Sequence, residues 1–254
     1  MYKPTNAINK IAIINLIRQV SFSFYSIVAR EPKYKALYQP YVVWAQIKRQ
    51  KFGETPQECQ VLPTTELVID GFQGSANSFV TEAFMQSQTK PVNIAHHLHS
   101  PVQIMSAVKQ KVPVWLVIRE PKGAVISLTS RWPHISVTQG LKGYIGFYSK
   151  LVADAPHYVV STFEQNTQQL NEVIRKVNNH FNVNFDLVNV SQINEQLKLK
   201  HSNPEELAKR KPIKQAKKQE LATMKNSELL MQAEELYQIF NNLAKQTDNK
   251  AFKN

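Results

Sequence analysis

Two segments about forty residues apart constrain this chain more than any other feature. Glu66-Leu-Val-Ile-Asp-Gly71-Phe-Gln73-Gly74-Ser75-Ala76-Asn77-Ser78-Phe79 and Trp115-Leu-Val-Ile118-Arg119-Glu-Pro121-Lys122-Gly123-Ala-Val-Ile-Ser127 each run from a short apolar stretch, through a turn of small residues, into a helical pattern. Apolar runs of this length bounded by turn residues read as buried strands. Residues 67–69, 92–94, 114–118 and 158–161 are four such runs, with helical patterns over 78–86, 101–109, 122–131 and 140–152 between them. Strands joined by helices need right-handed crossovers, which give a parallel sheet covered on both faces. The expected fold class is therefore α/β, a three-layer α/β/α arrangement around a mainly parallel sheet. In such sheets ligands sit beyond the carboxyl ends of the strands. The turn at 71–78, the histidines at 96–99 and Arg119 all fall there.

The rest of the chain extends this unit. Residues 1–60 read as a basic helical segment cut by Pro32, Pro40 and Pro56, and residues 61–254 as the α/β domain with a closing amphipathic helix over 227–244. Residues 164–181 read as one further helix, and the Asn- and Gln-rich stretch around 189–202 as a loop-rich connection. A single cysteine, Cys59, excludes an internal disulfide framework and any CxxC site, so a reducing, cytoplasmic setting is the expectation.

A formal net charge of +12 points to an anionic partner. Nine Lys/Arg face three acids within residues 1–60, a surplus of six, and a second basic block runs from Lys209 to Lys218. The bland reading of both is a solvated face. Nucleic acid is not expected, because no basic stretch interleaved with aromatics is present. The stretch 11–29 carries Arg18, Gln19 and three serines, which argues against a membrane span. Its polar residues Asn15, Gln19, Ser23, Ser26 and Arg30 recur every three or four positions and mark one face of a helix. Such a helix packs on the domain or lies peripherally on a membrane.

The first turn is no Walker P-loop, since it lacks the Gly-Lys-Ser/Thr ending. Together the two segments resemble the nucleotide-binding segments of the sulfotransferase family, on a P-loop NTPase-like fold. The family's first turn is a Pro-Lys/Arg-Ser-Gly-Thr-Thr-like stretch followed by an aromatic. Here Gln73 stands at the proline, Gly74 at the basic residue, Ser75 at the serine and Ala76 at the glycine. Asn77 and Ser78 stand at the threonines, and Phe79 at the aromatic. The second segment matches the family's Arg-(Asn/Asp/Glu)-Pro-(Lys/Arg)-(Asp/Gly)-x-x-x-Ser closely, with Arg119 and Ser127 eight residues apart. A guanidinium contacts phosphate bidentately, and a hydroxyl further along the helix adds a donor.

The resemblance implies a donor, 3′-phosphoadenosine 5′-phosphosulfate, with Ser75, Asn77, Ser78 and their backbone amides on its 5′ side. Arg119 and Ser127 would hold its 3′-phosphate. His97-Leu98 resembles the family's catalytic histidine stretch, making His97 the base that takes the acceptor's proton. A metal site and a structural cluster are the other readings of His96, His97 and His99, and the reaction itself needs no metal. Phe163-Glu164 resembles the family's Tyr-Glu, so Phe163 with Phe79 could flank the adenine. Arg210-Lys211 resembles an Arg-Lys in a late loop over the 3′-phosphate, with Pro212 at the usual glycine. The main departure is Gly74, where the family has a cation that stabilises the leaving phosphate. Lys122, Arg131 or the C-terminal basic block are the available substitutes.

The expected function is transfer of a sulfuryl group to an acceptor hydroxyl or amine, carbohydrate or lipid-linked acceptors fitting the basic amphipathic N-terminus. Two alternatives stand beside it: a non-catalytic module binding nucleotide or sulfated glycan on the same fold, and a basic peripheral membrane adaptor.

Overall fold

The computed structural model describes residues 5–50, 59–189 and 203–250. Two helices lead, α1 (Thr5–Val28) and α2 (Lys35–Gln50), joined by a 3-10 turn at Pro32–Tyr34. The alternating core follows: β1 (Leu67–Gly71), α3 (Asn77–Ser87), β2 (Ile94–His96), α4 (Pro101–Lys109), β3 (Val114–Ile118), α5 (Pro121–Arg131), α6 (Val137–Tyr148) and β4 (Val159–Thr162). Helices α7 (Phe163–Gln168), α8 (Leu170–Phe181), α9 (Pro204–Leu221) and α10 (Met224–Lys250) complete it.

The four strands form one all-parallel sheet in the order β2-β1-β3-β4. Every residue of β1 to β4 is buried, as expected of strands covered on both faces. Alternation along the strands divides the core in two. Leu67, Ile69, Trp115, Val117 and Val159 pack with α3 and α8, while Val68, Leu116, Ile118 and Val160 pack with α4, α5, α6 and α10. The buried Trp115 indole donates to Ser161 Oγ at 2.6 Å, so the largest core side chain leaves no orphan donor.

This order fixes where a ligand can enter. From β1 the chain turns through α3 to β2 on one side, and from β3 it turns through α5 and α6 to β4 on the other. Between β1 and β3 the two turns diverge at the carboxyl edge, the switch point of the sheet, where ligands of such folds bind.

Several local expectations change. Pro40 lies inside α2, where it loses the bond to the carbonyl of residue 36 and crowds that carbonyl, yet the helix continues to Gln50. The helix expected over 164–181 divides at Gln169, whose ψ of 35° breaks the spiral. The late loop expected at Arg210-Lys211 is helical, with Pro212 inside α9. The second strand is shifted to 94–96 and the last helix is longer than expected. Most of the expected loop at 189–202, and Pro56, lie outside the described residues.

Candidate functional site

The turn after β1 is held from three sides. The buried Asn77 amide donates to the carbonyls of Gly71 at 3.2 Å and Phe72 at 3.1 Å, and Ser75 N–H closes onto Phe72 O at 3.2 Å. Tyr148 of α6 accepts from Phe72 N–H at 3.3 Å and donates to Val117 O at 3.0 Å, so one phenol ties the ends of β1 and β3 together. Burial pushes that phenol's pKa well up, so it stays a donor across the working pH range. Ser75 is fully buried against the same phenol. Ser75 and Asn77 thus shape the turn with their side chains, and only Ser78 is exposed.

Helices α4, α5, α6, α7 and α9 each begin with a side-chain cap. Helix α3 does not. Its N-cap is Ala76 in the left-handed region, φ 76°, with no acid in the first turn. The first-turn amides of Asn77, Ser78 and Phe79 have no acceptor within the helix, and they add the positive end of the helix dipole. This is the arrangement that accepts a phosphate-like anion.

Gly74 explains the missing cation. Its φ is +90°, and a Cβ there would lie 2.6 Å from Ala124 O and 3.2 Å from Ser127 Cβ, so the turn rests directly on α5 and no longer side chain fits without moving backbone. The charge comes from across the switch point instead. Arg119 Nη1 donates to Gly74 O at 3.1 Å, and its guanidinium stacks on Phe163 at 4.1 Å. Its nearest acid, Glu120, is 4.0 Å away and caps α5 through Gly123 N–H at 2.5 Å.

Arg210 joins from α9. Its Nη2 donates to Ser127 O at 3.1 Å and Ser130 Oγ at 2.9 Å. Arg119 Nε and Arg210 Nε are both buried without a hydrogen-bond partner. The acid on Arg210 is a loose contact with Glu206 at 3.9 Å. Burial first, then neighbouring cations, lowers the pKa of Lys214: Arg210, Arg119, Lys218 and Arg131 all act on it. Burial also lowers Arg119 and Arg210 from the usual guanidinium value. Cations bear on Lys214 and, through Arg131, on Arg210, so an anion beside them would relieve both, while Glu120 and Glu164 already oppose the effect of burial on Arg119. Lys211, by contrast, is exposed, and Lys122 pairs with Glu234 at 3.1 Å. Phe79 packs at the edge of the α3/α8 core, while Phe163 lies under Arg119.

The histidines divide by role. His97 Nε2 meets Ser78 Oγ at 2.9 Å, and its Nδ1 meets His96 Nδ1 at 2.5 Å. With its proton on Nδ1, His97 donates to His96 and leaves Nε2 to accept from Ser78. His99 is a strut: its N–H donates to Asp70 Oδ2 at 2.7 Å, and its Nδ1 lies 2.8 Å from Gly71 O and 3.1 Å from Asp70 Oδ1. These bonds stabilise two left-handed residues, His97 at φ 59° and His99 at φ 53°. The three imidazoles therefore do not converge on a common point.

Beside the turn lies a recess lined by Phe22 and Ser26 of α1, Arg30 just past its end, Phe72 and Gln73 of the turn, and His99. Gly143 and Phe147 of α6 close its far wall. Sequence reasoning singled out Arg119, Ser127, Arg210 and His97, which the fold brings to one edge. It missed Asp70 and Tyr148, which hold that edge together. A carboxylate ending an apolar strand was the available signal for Asp70. The tyrosines Tyr144 and Tyr148, one helical turn apart, were the signal for the clamp, Tyr144 donating to Arg119 O at 2.8 Å. Among known proteins, no family model matches the sequence, and no curated protein and no solved structure matches the chain.

Proposed function

We propose that the chain is a sulfotransferase, binding 3′-phosphoadenosine 5′-phosphosulfate at the β1/β3 switch point and transferring its sulfuryl group to a hydroxyl or amine. One observation carries the reading: Gly74, Arg119, Ser127 and Arg210, spread over 137 positions of sequence, meet at the switch point beside the uncapped start of α3. The α3 amides take the 5′ group. Arg119, with Ser127 and Arg210, takes the 3′-phosphate, and Lys214 adds charge from the same side.

Ser78 stands between His97 and solvent, so the acceptor enters on the Ser78 side. The acceptor oxygen or nitrogen forms its bond to sulfur as the bond from sulfur to the bridging phosphate oxygen breaks. The acceptor's proton passes through the Ser78 hydroxyl to His97 Nε2, and adenosine 3′,5′-bisphosphate leaves. Charge on the leaving phosphate falls on the α3 amides at the positive end of the helix dipole. Positioning and charge stabilisation are most of what such a displacement needs. The recess beside the turn is the place for the acceptor body.

Calorimetry of adenosine 3′,5′-bisphosphate against adenosine 5′-monophosphate tests the donor site. The second phosphate is expected to improve binding about ten- to a hundredfold, a gain lost in Arg210→Ala. Equal binding of the two nucleotides would refute the donor site. For catalysis, His97→Ala is expected to slow release of the bisphosphate about 10²- to 10⁴-fold with donor affinity kept. Donor binding with no transfer to any hydroxyl or amine would leave a nucleotide-binding module.

A further inference from the structure

Helix α1 is amphipathic in the reverse sense. Its polar side faces the protein: Gln139 of α6 donates to Gln19 O at 3.0 Å and to Ser23 Oγ at 2.8 Å. Its apolar side faces out, with Ile13 57 %, Leu16 60 %, Ile17 59 % and Val20 62 % exposed, and Phe24 and Ile27 continuing the line. The three- and four-residue spacing makes these one stripe, about 20 Å long at 1.5 Å per residue. Helix α2 widens it with Val43, Trp44 and Ile47, also exposed, and Trp44 stacks on Tyr25 at 4.3 Å to join the two helices. Exposed apolar surface this continuous marks a contact site.

Charge decides what covers it. From residue 1 to residue 53 the sequence has nine Lys/Arg and a single acid, Glu31, which is taken by Lys150 at 2.8 Å. Arg18 of α1 is exposed as well. A second copy of the chain would bring two strongly basic segments together, whereas an anionic surface complements one. Among the described residues no helix is long and apolar enough to cross a membrane. A helix with this composition lies in the interface, apolar side chains at the acyl boundary and basic ones at the headgroups.

We infer that the outer face of α1 and α2 docks the protein on an anionic lipid bilayer. The contact leaves the donor site untouched, because α1 turns its opposite side, Phe22 and Ser26, to the recess beside the β1 turn, with Arg30 following just past the helix end. The inference stands apart from the sulfotransferase reading, and either can fail without the other.

The test is co-sedimentation of the full chain with vesicles of phosphatidylcholine containing phosphatidylglycerol, and with phosphatidylcholine alone. Binding is expected on the anionic vesicles, at least tenfold weaker on the neutral ones, and falling with salt. Ile17→Ser with Val20→Ser is expected to weaken it about ten- to a hundredfold while circular dichroism and Tm stay put, since both side chains are already in water. Absence of binding to anionic vesicles, equal binding to neutral ones, or binding that survives the double substitution overturns the proposal. Sedimentation velocity supplies the remaining arm: a dimer that the same substitutions dissociate, with no vesicle binding, assigns the stripe to a second copy.

Discussion

Helices α1 and α6 touch along their length, yet they divide their side chains in opposite ways. Helix α6 buries Val137, Leu141, Tyr144, Phe147 and Tyr148 and begins with a Ser136/Gln139 capping box. Helix α1 gives α6 the Ser23 hydroxyl and the Gln19 carbonyl and keeps Ile13, Ile14, Ile17 and Ile27 outside. Burial of apolar area normally outweighs every other choice a surface helix makes, at about 25 cal/mol per Å². A helix that forgoes it against its own domain is held by something else. Here that is Phe22, packed against the core, a few polar contacts to α6 and an anchor at its end, where Val28 and Ala29 pack with Tyr41, Val42 and Leu98 and Ser100 Oγ donates to Ala29 O at 2.7 Å. The N-terminal pair is attached to the core, with its apolar surface left over.

The sharpest way to break this contrast is to truncate one leucine from each helix. Leu141 of α6 is fully buried, and Leu141→Ala is expected to cost about 2–5 kcal/mol in a denaturant titration, through lost transfer energy and the cavity left behind. Leu16 of α1 is 60 % exposed, and Leu16→Ala is expected to stay within about 0.5 kcal/mol. A comparable loss at both positions would show that the outer face of α1 is packed in solution.

Gly74→Ala comes next in size. The added Cβ meets Ala124 O and the residue must hold φ +90°, so a loss of about 1–3 kcal/mol is expected. Because the same shift pushes the turn off α5 and Arg119, affinity for adenosine 3′,5′-bisphosphate is expected to fall with it. Normal nucleotide affinity in Gly74→Ala would separate the turn from the anion site.

Gln139→Ala tests the attachment itself. It removes the capping-box return to Ser136 N–H and both contacts to α1. A cost of about 0.5–2 kcal/mol is expected, with faster proteolysis in the α1 region than in the core. Unchanged proteolysis would mean that the Val28/Ala29 anchor alone holds α1.

The parallel sheet was legible because buried strands appear in sequence as short apolar runs, and helices of the right length separate them. The strand-to-helix turn at Arg119 was legible too, and the structure brings Arg210 beside Ser127 although its surroundings are helix and not loop. Other features had no local signature. Gln169 breaks a helix with no Gly or Pro to announce it, and Pro40 announces a break that α2 does not make. The orientation of α1 was beyond reach for a physical reason: periodicity shows that a helix has two faces, but which one turns inward depends on what α6 presents. The vacancy at Gly74 reads in sequence as a lost cation, and only the packing of the turn on α5 shows that no cation could sit there.

The smallest expected effect concerns the ion pair at the hinge of the N-terminal helices. Glu31 and Lys150 meet at 2.8 Å with side chains 21 % and 39 % exposed. The Lys150 contact holds the Glu31 carboxyl below its usual 4.5, against a weaker opposing effect of burial. A carboxyl whose pKa is lower folded than unfolded adds stability that is fully present above the usual value. That stability is lost as the pH falls through the lowered one. Partial exposure and salt screening limit it to about 0.3–0.5 kcal/mol. Glu31→Gln is therefore expected to lose this much at pH 7 and low ionic strength, and nothing once the pH lies below the folded value. Losing Glu31 also leaves residues 1–53 with no acid, so vesicle binding is expected to strengthen slightly while stability falls. Stability and lipid affinity moving in opposite directions on one substitution is what separates a helix pair attached for docking from one packed for its own sake.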